Sequence, residues 1–210
     1  MRISRKNKCA WKTEKDFILY EELRNKIKNV KNIESKIITL EDFATIQMGV
    51  KQKLNKTIKS AKLLYRASRD GDHTQFHSKC NGKQNTLTFV KAKNGRKFGG
   101  FVNKAFHSND GWITDPNCFL FSLFYKECYF YNNNGYMYNG SHPGPEWGNG
   151  HDLTLNNGCL SNTNSYCRQK SFNYNDKLNA LSGGEQQFQV EDYETYELIL
   201  EWFVIKNVNF

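Results

Sequence analysis

The chain has 210 residues and a formal net charge of +9, with 15 Phe and 11 Tyr against three Pro. That length allows one domain with an appendage, burying roughly 70% of the unfolded surface. No run of eighteen apolar residues occurs and the opening "MRISRKNKCAWKTEKDF" has no apolar h-region, which argues against a spanning helix and a secretory leader and for a cytoplasmic protein.

The charge is uneven. Residues 1–66 carry 17 Lys+Arg against 7 Asp+Glu, and the remainder is near neutral. Between Thr13 and Glu34 the apolar positions Leu19, Leu23, Ile27 and Val30 repeat as on one face of an amphipathic helix, with Lys and Glu opposite. Residues 1–35 therefore read as a basic amphipathic helical extension and 36–210 as the folded domain. Such an arm suits an acidic partner surface, in protein, phospholipid or nucleic acid. A solvated helix face explains the same pattern. The nucleic-acid version is disfavoured because no RNA-binding motif is present.

A second helix is expected in "IITLEDFATIQMGVKQKL", with Thr39 as N-cap, Glu41 and Asp42 in the first turn and Gly49 as its end. From Leu63 the period falls to two. Leu63 to Ala67 reads as a buried strand, Ser68-Arg69-Asp70-Gly71 as a turn, and the segment through Phe76 and Cys80 as a short helix. "TLTFVKA" and "RKFGGFVN" alternate around an Asn-Gly turn, the strongest short hairpin signal. "CFLFSLF" reads as a strand, "ECYFYNNNGYMYNG" as a hairpin, and "HDLTL", "QQFQVEDYE" and "YELILEWFVI" complete an antiparallel series. Short strands without a strand-helix-strand rhythm imply an α+β domain built on a β-sandwich of two antiparallel sheets flanked by short helices.

Chemical signals are sparse. The six Cys, at 9, 80, 118, 128, 159 and 167, include no C-x-x-C pair, so reduced thiols are expected, with Cys167 beside Arg168 as the one sequence-adjacent redox candidate. His73 and His77 stand one helical turn apart, but no acid completes a metal motif and a solvated pair is expected. His151-Asp152 and the acidic set Glu185, Glu191, Asp192 and Glu194 invite an acid/base or metal reading, yet no nucleophile and base are paired in sequence. No catalytic residue, metal or cofactor is assigned. "LSGGE" at 181–185 has the letters of an ATP-sandwiching signature, but no G-x-x-x-x-G-K-[ST] accompanies it, so it reads as a glycine turn before a strand.

Taken in order, "LLYRASRDGD", "KFGGFVN", "FLFSL", "GPEWGNGHDLTL", "NTNSYC" and "LSGGEQQFQVEDYETYEL" resemble the TLDc family over about residues 36–200. The resemblance implies a TLDc-type β-sandwich and a domain that works by binding, linked to protection against oxidative damage and to binding and regulating the vacuolar proton pump (V-ATPase). Three positions depart from the family pattern: Asp72 after the S-R-D-G turn, Phe106 in place of Trp, and Trp147 in place of Phe. The residues expected to shape motifs or touch a partner are Arg69, Asp70, Gly71, Gly99, Gly150 and Glu185. V-ATPase subunits are the expected partner, with a peripheral position on an organelle membrane or cytoskeletal assembly. The alternatives are a peroxide scavenger using Cys chemistry and a structural protein anchored through the basic arm.

Overall fold

The computed structural model describes residues 21, 22, 25, 30, 33–71, 73–131, 135–138, 140, 144–178, 180–184 and 186–203. Most of the amphipathic helix expected at Thr13–Glu34, together with Asp72 and Glu185, lies outside these residues.

Helix α1 spans Leu40–Leu54 and starts on the expected cap: Asp42 N donates to Thr39 Oγ1 (3.3 Å) and Thr39 N donates to Asp42 Oδ2 (3.0 Å). Gly49 does not end it. The helix continues to Asn55, whose left-handed φ of 54° closes the last turn. The glycine serves packing instead, because a Cβ there would come within 2.6 Å of the Phe119 ring.

Strand β1, Lys56–Arg66, begins well before Leu63, the position at which sequence periodicity placed it. Two register shifts against its partner, at Ile58/Ser60 and Leu63/Tyr65, break the simple alternation that would have revealed it. Ala67 then belongs to a single helical turn, α2 (Ala67–Asp70), followed by α3 (His73–Cys80).

The remaining strands are β2 (Thr86–Ala92), β3 (Lys97–Val102), β4 (Trp112–Thr114), β5 (Phe119–Ser122), β6 (Glu127–Tyr131), β7 (Tyr136–Tyr138), β8 (Glu146–Trp147), β9 (Leu153–Thr154), β10 (Ser165–Cys167), β11 (Phe172–Asn173), β12 (Gln187–Phe188) and β13 (Val190–Trp202). They form two sheets, ordered β1-β13-β2-β3-β5-β6-β11 and β12-β10-β9-β8-β7-β4, with every strand pairing antiparallel. The expected α+β sandwich is what the chain forms.

One connection departs from expectation. The stretch "ECYFYNNNGYMYNG" is not a hairpin: β6 pairs with β5 in the larger sheet, whereas β7 pairs with β4 and β8 in the smaller one. Its period-two pattern is correct for both strands, but each satisfies its backbone with a different neighbour.

The larger sheet is buried on both faces. On one side Leu87, Phe89, Phe101, Phe119, Phe121, Tyr196 and Leu198 pack against Phe43, Ile46 and Val50 of α1. On the other, Val90, Phe98, Val102, Leu120 and Tyr193 meet Met137, Trp147, Leu153, Cys167 and Phe188 of the smaller sheet. Helix, sheet and sheet thus stack as three layers, which is why β2, β3 and β5 are buried at nearly every position rather than at alternate ones. The glycines of β3 allow this stacking: a Cβ on Gly100 would land inside the Trp147 indole, and one on Gly99 would collide with the Thr88 carbonyl.

Candidate functional site

The S-R-D-G segment is a rigid corner at the end of β1. Asp192, reaching across from β13, accepts from Ser68 N (3.0 Å) and Ser68 Oγ (2.6 Å). Asp70 accepts from Arg66 N (2.9 Å) and takes a two-pronged contact from Arg69, Nε at 2.9 Å and Nη2 at 2.6 Å. That hydrogen bond from Arg69 is the main reason the Asp70 carboxyl is held down to about 2. Asp70 therefore stabilises the corner at neutral pH and gives up that contribution only as pH falls from about 4 toward 2. Arg69 is half exposed, so its guanidinium edge faces solvent while its charge is answered internally.

Gly71 ends the corner at φ 94°, with nothing near its missing Cβ, so backbone conformation alone demands glycine. Its carbonyl accepts from Tyr65 Oη at 2.5 Å. Beside it opens a notch of about 190 Å³ lined by Tyr65, Ala67, Gly71, Cys159, Leu160 and Tyr193. The Tyr65 and Tyr193 rings lie 5.0 Å apart, and burial pushes both phenols well above their ordinary range. Of the three consecutive predicted residues Arg69, Asp70 and Gly71, Gly71 lines the notch, while Arg69 and Asp70 belong to the corner beside it. Gly99 lies in the middle of the larger sheet and Gly150 sits against Lys170, both remote from the notch and both required by close packing.

The remaining chemical candidates are largely structural. The His73 side chain lies outside the description, but His77 is buried rather than solvated, with Nδ1 2.7 Å from Ser108 Oγ. Glu191 pairs on the surface with Lys91. Asp152 is buried and accepts from the N–H groups of Lys170, Ser171 and Phe172 and from Tyr174 Oη. Among the described residues no cluster of three His, Cys, Asp or Glu is placed to hold a metal ion. Burial raises the thiols of Cys80, Cys118, Cys128 and Cys167 strongly and that of Cys159 to about 12. Cys167 gains no thiolate character from Arg168; it faces the core, and Ser182 is its nearest polar support.

Sequence reasoning missed one network. Glu194, fully buried on the helix side of β13, accepts from Ser35 Oγ (2.5 Å), Lys36 N (2.9 Å), Arg66 Nε (2.7 Å) and Tyr196 Oη (2.9 Å). It fastens the segment before α1 to the sheet. The signal was present: in "VEDYETYEL" an acid occupies the same face as Tyr196 and Leu198, both core residues.

The sandwich, the glycine-relieved β3 and the pinned corner are the context in which the six motifs must be judged. Residues 31–199 match the family model described as the TLDc domain. The chain belongs to the TLDc domain family. A search among curated proteins finds no match to it. In this TLDc domain the two departures that fall on described residues keep their apolar role: Phe106 is buried against Phe76 at 5.5 Å, and Trp147 fills the space over Gly100 while donating Nε1–H to the Phe101 carbonyl at 3.4 Å. No described helix is long and apolar enough to cross a membrane.

Proposed function

We propose that this TLDc domain is a non-enzymatic docking module, a regulator tied to oxidative-stress protection that binds peripheral subunits of the V-ATPase. The observation that carries the docking reading is the apolar notch beside the S-R-D-G corner. Its wall is largely aromatic and aliphatic, with Asn156 and Asn157 also on the lining, and the polar side chains of the adjoining corner are already committed to holding it. Such a recess accepts an apolar side chain from a partner, while Arg69 at the rim supplies orientation rather than chemistry. The raised thiols weigh against the peroxide scavenger, which needs an accessible thiolate. The basic arm, residues 1–35, adds attraction to an acidic part of the same assembly, in keeping with a cytoplasmic protein held at an organelle surface.

The test is affinity purification from lysate with the full chain and an Ala67→Trp variant that fills the notch. Pump subunits should be recovered with the first and depleted about tenfold or more with the second. Recovery of no pump subunits by the full chain overturns the partner; equal recovery by both overturns the notch.

A further inference from the structure

The outer face of the smaller sheet carries a second site. One residue from each strand stands in a continuous, directly paired row: Trp112 opposite Tyr138, Tyr138 opposite Glu146, Glu146 opposite Thr154, Thr154 opposite Tyr166, and Tyr166 opposite Gln187. Their chain neighbours Met137, Trp147, Leu153, Cys167 and Phe188 point into the core. A carboxylate in an outward row belongs in water. Glu146 is instead only 3% exposed, lying beneath His151, whose Nδ1 contacts Glu146 Oε1.

Comparison with the other buried acids shows what is unusual. Glu194 and Asp152 each accept from four donors, as described above, and Asp115 accepts from the N–H groups of Asn103, Lys104 and Asn117. Those carboxylates are clad and structural. Among the described residues Glu146 has one partner, a single imidazole nitrogen, although a carboxylate offers about four acceptor sites. Across the strand from it Thr154 is 2% exposed, and its Oγ1 is buried without a partner. Two adjacent buried polar groups are thus left with unused capacity, an arrangement that folding alone does not favour.

Aromatic rings enclose the same spot. The His151 ring has Trp112 at 5.3 Å and 60°, Tyr138 at 6.5 Å and 61°, and Tyr166 at 6.3 Å and 64°. Trp112 and Tyr138 are themselves 5.0 Å apart and inclined at 59°. Rings tilted this steeply are walls rather than the coplanar platform that a sugar would stack on. Three π systems around an imidazole that rests on a carboxylate mark a place that suits an ammonium or guanidinium group. The face already collects the chain's own nitrogen bases, since the Arg168 guanidinium lies 4.7 Å from the Tyr166 ring centre. His151 reaches its place from a tight turn, at φ 57° just after Gly148-Asn149-Gly150.

We propose that Glu146, Thr154, Trp112, Tyr138 and Tyr166 form a receptor for a basic side chain of a partner protein, with His151 as an internal occupant that the incoming lysine or arginine head group displaces. Glu146 supplies the charge, Thr154 the spare hydroxyl, and the three rings the walls. The site shares no residue with the notch beside Gly71, so it stands or falls independently of the docking proposed there.

The experiment titrates the full chain with Nα-acetyl-lysine N-methylamide, following the indole N–H resonance of Trp112. The control is the same compound acetylated on Nε, which keeps the stem and removes the charge. Removing the internal competitor with His151→Ala should tighten probe binding about tenfold relative to the wild type, because the receptor is then empty before the probe arrives. Glu146→Gln and Tyr138→Ala, which keep the Trp112 indole as the reporter, should each weaken it about tenfold or more. His151→Asn is the second variant if the alanine form loses its native near-ultraviolet spectrum. Equal response to the charged and neutral compounds, or no response in a folded His151 variant at saturating probe, overturns the proposal.

Discussion

At the scale of single residues, the fold depends on where a Cβ is forbidden. Gly100 faces the buried Trp147 indole and has no room for a methyl group, whereas Gly95, in the β2–β3 turn, has nothing near its missing Cβ. Gly100→Ala therefore forces the two sheets apart locally and should cost about 2–3 kcal/mol, as overpacking of a filled core does. For a domain of this size that lowers Tm by about 4–12 °C, measurable by calorimetry. Gly95→Ala acts through its φ of 85° alone and should cost about 1 kcal/mol. Equal losses at the two positions would contradict the packing explanation. The glycines were visible in the sequence, and so was their conflict with strand propensity. That Gly100 answers to a tryptophan of the opposite sheet and Gly99 to the Thr88 carbonyl of the neighbouring strand was not, because those contacts join residues separated in the chain.

At the scale of elements, β13 is the spine. It pairs with β1 along one edge and β2 along the other, and its side chains supply both apolar layers as well as the Asp192 and Glu194 anchors. Glu194→Gln removes the charge that Arg66, Ser35 and Lys36 N all address, leaving the Arg66 guanidinium, whose side chain is 11% exposed, without its counter-charge. The expected loss is about 3 kcal/mol. Hydrogen exchange should show it as faster exchange concentrated in residues 33–38, the segment this carboxylate holds down. Uniform acceleration across the domain would mean that the anchor is not local. The element boundaries were partly legible: the start of α1, the β2–β3 hairpin and the glycine turn before β12 follow from capping, alternation and Asn-Gly or Gly-Gly chemistry, whereas the end of α1 at Leu54 does not. The start of β1 was hidden by bulges, and the partner of β7 by the layer change.

At the scale of the whole molecule, the core is rich in protonated thiols and phenols. Cys80, Cys118, Cys128, Cys159 and Cys167 all titrate above the ordinary thiol, and Tyr65, Tyr129, Tyr174, Tyr193 and Tyr196 above the ordinary phenol, in each case because burial disfavours the anion. Above about pH 8.5 the unfolded chain releases protons that the folded chain keeps, so the unfolded state binds fewer and stability must fall as pH rises. The apparent Tm should be level from about pH 6 to 8 and drop progressively through pH 9 to 11. A Tm unchanged at pH 10.5 would show that these groups are not buried as described.

Local rules determined the class of fold, most of its strands, its caps and its turns, because those depend on the order of neighbours in the chain. Family motifs carried the identification for the same reason. The assembly of the S-R-D-G corner with the Cys159–Leu160 loop into one notch, the four-donor grip on Glu194, and the under-satisfied Glu146 among three rings were decided only in three dimensions. Each brings together side chains from separated strands, and whether a buried acid is clad with donors or left with capacity to spare depends on which strands become neighbours.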